Sequence, residues 1–360
     1  MLVKQGRKYD IPFQMLQCLI NSGLKVRDIS ELLNVSKRTV ERRMEEYNLS
    51  VRQTYSNLSD EKIKLEVQQL SASFPNVGYR TIQSLLLSKG LKIQEHKVRH
   101  ALRECDPCGV LFCRVFLTSS RIQRRTYSVS GPQALWHIDG NHKLIRWRLV
   151  IHGGVDGFSR FPVFLKVSNN NSAQTVLCAF LEAVNKFGKP ARVRSDKGGE
   201  NVLVAEYMLQ HQQSVDRPFI AGRSVHNQSM ENNSILDPTN KTHLMLLHLV
   251  FLHRIQAHLD RFTEALRRRP LRTENNRTPL QLWLTSNHAT SMDQDSTNDY
   301  GIDYNPGALI THPESVVVPD SMEITENQKQ QLQHILQKDS NNFGVDIYQE
   351  ILEYWTVNNL

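Results

Sequence analysis

The sequence predicts an α/β protein: a mixed five-stranded sheet core, preceded by an all-α region and followed by an acidic, partly disordered tail. Three observations predict it. Apolar, β-branched runs at 136–144, 146–153 and 161–167 follow one another across turn residues, as consecutive strands do. The first hundred residues instead carry apolar positions at helical spacing, with Ser and Gly where helices start and stop. Charge is also segregated. Residues 1–130 hold 22 Lys and Arg against 12 Asp and Glu, whereas 286–360 hold 2 against 12.

The N-terminal region reads as two helical modules, 1–54 and 58–106. In the first, Val26, Ile29, Leu32 and Leu33 share one helix face, Asn34-Val35 makes a tight turn, and Ser36 caps a second helix from Lys37 to Met44. This is a helix-turn-helix pattern, with Val40 and Met44 turned inward and Lys37, Arg38, Arg42 and Arg43 available to duplex DNA. The second module repeats the logic more weakly. Ser59 caps a helix, Gly78 to Leu87 forms another that stops at Lys89-Gly90, and Lys97 and Arg99 lie on a last helix with Val98 and Leu102 inside. His96, His100, Cys105 and Cys108 have metal-ligand chemistry. Four residues separate His100 from Cys105, however, and Asp106-Pro107 turns the chain between the thiols, so a zinc site is not expected. Residues 107–132 form a linker.

The core spans 133–285. After the three strands, 172–187 has Val176, Leu177, Phe180, Leu181 and Val184 on one side and ends at Gly188, as a helix does. A short buried strand at 192–195, a helix at 202–210 and a further strand at 218–221 follow. Hairpins giving way to crossovers predict a mixed sheet with helices on both faces. Residues 242–267 make a long helix with Leu244, Leu247, Leu249, Val250 and Leu252 inward; its histidines read as partly exposed helix residues. A polar linker at 286–305 leads to short tail helices at 328–337 and 346–355.

Among 360 residues with a net charge of +8 and mean hydropathy of −0.44, no apolar run reaches the roughly 20 residues of a membrane span. There is no secretory leader pattern at Met1, and five cysteines fit a reducing, intracellular and nuclear setting. A basic front and middle point to nucleic acid as partner.

Two aspartates close apolar runs: Asp139 in Trp136-His137-Ile138-Asp139 and Asp196 in Val193-Arg194-Ser195-Asp196. Glu231 follows Asp196 by 35 positions. Three carboxylates so placed could hold two Mg²⁺ or Mn²⁺ ions about 4 Å apart for in-line phosphoryl transfer, with catalytic and metal-binding roles combined. Lys143 and Lys197 flank the aspartates as phosphate partners, and no small-molecule cofactor is implied. Glu200 could stand in for Glu231, although it shares a turn with Asp196. Asp156, in Val155-Asp156-Gly157-Phe158-Ser159-Arg160, reads as fixing a turn.

The strings Trp-His-Ile-Asp-Gly-Asn-His-Lys-Leu, His152-Gly153-Gly154-Val155-Asp156-Gly157-Phe158-Ser159-Arg160, Arg-Ser-Asp-Lys-Gly-Gly-Glu-Asn and Pro270-Leu271-Arg272-Thr273-Glu274 resemble the retroviral-integrase-like core of transposase-derived eukaryotic proteins. The resemblance implies an RNase H-like fold, an Asp-Asp-Glu site at Asp139, Asp196 and Glu231, DNA as partner, and a homo-oligomer. The alternative is a domesticated DNA-binding protein without chemistry. Relatives follow Ser-Val-His-Asn-Gln with Arg-Ile-Glu-Arg-Leu-Trp and a long helix. Here Asn232, Asn233, Ser234 and Pro238 follow Glu231, as though that helix had been removed. Strand cutting is therefore expected to be weak or absent.

Overall fold

The computed structural model describes residues 4–5, 8–75, 77–107, 129–196, 198–211, 219–222, 240–286, 325–338, 340 and 342–358. The chain forms two compact units, one of 1–132, 158–161 and 261–295 and the other of 133–157, 162–260 and 296–360.

In the first unit, helices α1 (Phe13–Asn21), α2 (Val26–Leu32) and α3 (Lys37–Glu46) enclose Ile11, Leu16, Ile20, Leu24, Ile29, Val40 and Met44. The turn into α3 works as its sequence suggests. Asn34 takes the left-handed conformation at φ 52°, and the Ser36 hydroxyl accepts the Thr39 N–H at 3.1 Å. Helix α1 was not expected. Its apolar set is short, and it becomes a core element only when Leu16 and Ile20 meet α2 and α3. The second module is α4 (Asp60–Ser73), α5 (Tyr79–Ser88) and α6 (Glu95–Cys105), packed around Ile63, Val67, Ile82, Leu86, Val98 and Leu102. Gly90, at φ +83°, ends the α5 turn in a conformation that favours glycine.

The second unit is built on strands β1 (Trp136–Asn141), β2 (Val150–Asp156), β3 (Pro162–Ser168), β4 (Val193–Asp196) and β5 (Phe219–Gly222), in the order β3-β2-β1-β4-β5. The pairs β3–β2 and β2–β1 are antiparallel, whereas β1–β4 and β4–β5 are parallel. Three meandering strands joined to two crossover strands are the RNase H-like arrangement. Helix α7 (Ala173–Phe187), capped by Ser172, makes the first crossover, and α8 (Val202–Gln210) makes the second. Trp136 is fully buried, with Phe180 of α7 edge-on at 5.8 Å. The strands expected at 136–144 and 146–153 are shorter and shifted. Residues Ile145–Trp147 form a 3₁₀ turn, and Arg148 is left-handed at φ 52°, so the chain reverses where its composition alone favours extension.

Helix α9 (Lys241–Arg268) guards the open sheet edge: Gln256 accepts the Val167 N–H at 2.9 Å and donates to the Leu165 carbonyl at 3.0 Å. The helix buries Leu244, Met245, Leu246 and Val250, a wider face than its leucine spacing suggests. His248 is buried too and bonds the Trp147 carbonyl at 2.8 Å, unlike the partly exposed histidine expected there. The end of α9 belongs to the first unit, where Ala265 joins the second module's core and Phe262 stacks near Phe74. Helix α10 (Pro279–Ser286) follows, and Gln281 donates to the Gly23 carbonyl at 2.8 Å.

Tail helices α11 (Glu326–Leu336) and α12 (Val345–Asn358) are not loose appendages. Leu332, Ile335, Ile347 and Ile351 close a core with Met245, Leu246 and Val250. The linker expected at 286–305 lies, but for Ser286, outside the described residues.

Candidate functional site

Strand β1 alternates. Trp136 and Ile138 are buried on one face, and His137 and Asp139 occupy the other. Strand β4 does the same with Val193 and Ser195 against Arg194 and Asp196. The parallel register pairs Trp136 with Val193 and His137 with Arg194. Continued two places, it sets Asp139 beside Asp196 on the same face, in the carboxyl-terminal halves of adjacent strands. Parallel sheets present ligand sites at this end.

The electrostatics agree with the register. Asp139 titrates above the ordinary carboxylate range, first because neighbouring protein desolvates it and second because Asp196 lies close. Asp196 is oriented from beyond its strand: the Asn201 amide donates to its Oδ1 at 2.9 Å, and the Gly198 N–H at 3.4 Å. Glu200, 5% exposed, sits in the 3₁₀ turn Gly199–Asn201. Burial raises its proton affinity most, and the charges of Asp196 and Asp139 raise it further. Asp196 thus acts on Asp139, and both aspartates act on Glu200. Gly198 makes this possible, since a Cβ there would overlap the Glu200 carboxylate.

Two histidines border the acids. His142 lies close enough to lower the proton affinity of both Asp139 and Glu200, and among the described residues its Nε2 has no hydrogen-bond partner. His152, on β2 opposite Gly140, is 2% exposed and held neutral by burial. Sequence reading missed His152 and Asn201. The signal for Asn201 lay in its place immediately after Glu200, at the start of a helix. His152 gave none, because its approach depends on strand pairing.

Other expected site residues fare differently. Glu231 and Lys197 lie outside the described residues. Lys143 is exposed at the end of β1. Asp156 is fully buried and accepts the N–H of Gln133, 23 positions earlier, at 2.9 Å, where a bond within its own turn was expected. On α3, Lys37, Arg38 and Arg42 are exposed, but the Arg43 side chain is only 14% exposed and folds back onto Glu46. Arg43 therefore does not project as the other three do. On α6, Lys97 pairs with Asp60 at 2.8 Å, and Arg99 pairs with Glu95 at 3.3 Å while lying over the Tyr79 ring. Cys105 contacts the Lys64 carbonyl and His100 faces Glu104; Cys108 lies outside the described residues.

Asp139 and Asp196 supply the hard oxygen donors that Mg²⁺ or Mn²⁺ takes, and their mutual repulsion is what a dication relieves. Among the described residues no three His, Cys, Asp or Glu side chains close to metal-holding distance. The fit is thus to the aspartate pair, with Glu200 held back over Gly198. Among the described residues no helix is long and apolar enough to cross a membrane.

Residues 126–231 and 228–298 match the family described as integrase core domain, and the two pieces meet at 228–231. No curated protein matches the chain. Solved structures similar to it include the simian T-cell lymphotropic virus intasome in complex with the PP2A regulatory subunit B56 gamma. That match has 15% identity and a TM-score of 0.35, and covers 60% of this chain and 72% of that one. The HTLV-2 integrase catalytic core in complex with magnesium is similar at 16% identity and a TM-score of 0.28, covering 43% of this chain and 98% of that one.

Proposed function

We propose, from the match of residues 126–231 and 228–298 to an integrase core domain, that the chain binds DNA and uses Asp139 and Asp196 to hold Mg²⁺ or Mn²⁺ for cutting or joining strands. The observation that carries this reading is the placement of the two aspartates, side by side on β1 and β4 with the charge of Asp196 acting on Asp139. A bound dication would activate a water or 3′-hydroxyl and stabilise the leaving oxygen.

The chain's own residues do the rest. Asn201 fixes the rotamer of Asp196, Lys143 offers a charge to phosphate, and Lys37, Arg38 and Arg42 of α3 grip duplex. The third ligand is the weak point. Asn232, Asn233, Ser234 and Pro238 are residue types that disfavour the long helix which would hold the Glu231 carboxylate rigidly, and a misplacement of about 1 Å at such a site costs roughly a hundredfold. The activity is accordingly slow. A second reading, a DNA-binding protein that has lost the chemistry, is favoured by that same departure after Glu231.

The test is a cleavage assay on DNA ends with Mn²⁺. Slow, metal-dependent nicking that Asp139→Asn abolishes and Glu231→Gln leaves unchanged is the expected outcome. Nicking indifferent to Asp139→Asn would remove the proposed site. Duplex binding with no nicking at all would favour the second reading.

A further inference from the structure

Glu200 is 5% exposed, and the described residues leave it without a cation. No Lys, Arg or His among them comes within ion-pair reach of it, and the hydrogen bond it accepts comes from its own backbone N–H. The aspartates Asp196 and Asp139 act on it as like charges, and His142 acts the other way. Buried carboxylates are ordinarily paired or bound to a metal.

The place it occupies is a product of one missing side chain. Both of its carboxylate oxygens lie where a Cβ on residue 198 would stand. Gly198 has φ −68° and ψ 142°, a backbone conformation open to any residue, so the room comes from the absent Cβ alone. The backbone on either side of Glu200 is already tied to the aspartate pair, because the Gly198 N–H and the Asn201 amide both donate to Asp196. Only the Glu200 side chain need move to meet whatever the pair holds. A dication between Asp139 and Asp196 would cancel their repulsion and attract this third carboxylate instead. We propose that Glu200 is the third metal ligand, its carboxylate leaving the space over Gly198 to close on a divalent cation held by Asp139 and Asp196. The inference rests on the reading of the two aspartates as metal ligands. It adds that a turn four residues past Asp196 completes the set, in place of Glu231.

The experiment titrates the full chain with Mn²⁺ and follows the electron paramagnetic resonance signal of the free ion. Glu200→Gln is expected to weaken binding by about tenfold, the low end of the loss seen when a group supporting a bound metal is removed. Glu200→Asp keeps the charge but shortens the reach, and should weaken binding as much. Gly198→Ala evicts the carboxylate from its resting place and should tighten binding by about threefold, since a state that withholds a ligand lowers the apparent affinity. That gain should vanish when Gly198→Ala is combined with Glu200→Gln. Affinity unchanged in Glu200→Gln, while Asp139→Asn abolishes binding, would overturn the inference and leave the aspartate reading standing. Affinity lost in Glu200→Gln but kept in Glu200→Asp would also overturn it, as the effect would be one of charge alone. Binding that Asp139→Asn leaves intact would remove the aspartate site and this inference with it.

Discussion

In α3 and α6 the charged side chains either reach solvent or meet an opposite charge: Arg43 turns to Glu46, Lys97 to Asp60 and Arg99 to Glu95. On β1 and just past β4 the chain does the reverse, gathering like charges: Asp196 lies near enough to raise the proton affinity of Asp139, and both aspartates raise that of Glu200. Exposed pairs of the first kind contribute little to stability and are easily made. A gathering of like charges costs stability, and folds keep such clusters where chemistry requires them. The contrast teaches that the strongly basic region is ordinary in its local electrostatics. The less conspicuous sheet edge is the unusual place.

The largest expected effect tests whether the two regions stand on separate cores. Trp136→Ala empties a fully buried site against Phe180 and should cost about 3–5 kcal/mol. Hydrogen exchange should show the strands losing protection while α1 to α3 keep theirs. Equal loss in α1 to α3 would show the division to be artificial.

A smaller effect tests the charge cluster. The folded-state pKa values of Glu200 and Asp139 are raised, so the stability they contribute is fully present below the unfolded carboxylate range, about pH 4, and is lost as pH rises through the folded values. Glu200→Gln removes its part of that neutral-pH penalty. The metal-free protein should therefore melt higher at neutral pH, by about 2–4 °C for each 1 kcal/mol relieved, with no gain at about pH 4. Glu95→Gln, at an exposed pair on α6, should leave the melting point unmoved at either pH. A destabilising Glu200→Gln at neutral pH would mean that Glu200 has a partner stronger than its repulsions.

Much of this was legible in the sequence because it is local. Ser36, Ser59 and Ser172 each announce a helix start, and each caps one. The apolar runs that Asp139 and Asp196 close already placed both aspartates on strands. What was not legible depends on distant partners. Leu144 to Trp147 is apolar enough for a strand, but the chain turns there and His248 of α9 bonds the Trp147 carbonyl. The tail helices look polar and acidic, and their inward Leu332, Ile335 and Ile351 acquire meaning only against α9. Glu200 read only as a stand-in for Glu231 because it shares a turn with Asp196, and the space that Gly198 leaves for its carboxylate was not visible. The cations of α3 read alike, yet Arg43 has Glu46 within reach one turn on and the others stay exposed.

The most direct test of the metal reading is thermal melting of the full chain during an Mn²⁺ titration at neutral pH. A ligand that binds only the folded state stabilises it by about 2.7 kcal/mol at a hundredfold excess over its dissociation constant. The account predicts a saturable rise of several degrees that disappears in Asp139→Asn and in Asp196→Asn, both of which should melt no lower than the parent without metal. A rise retained in both variants, or no rise in the parent at any Mn²⁺ concentration, would contradict it.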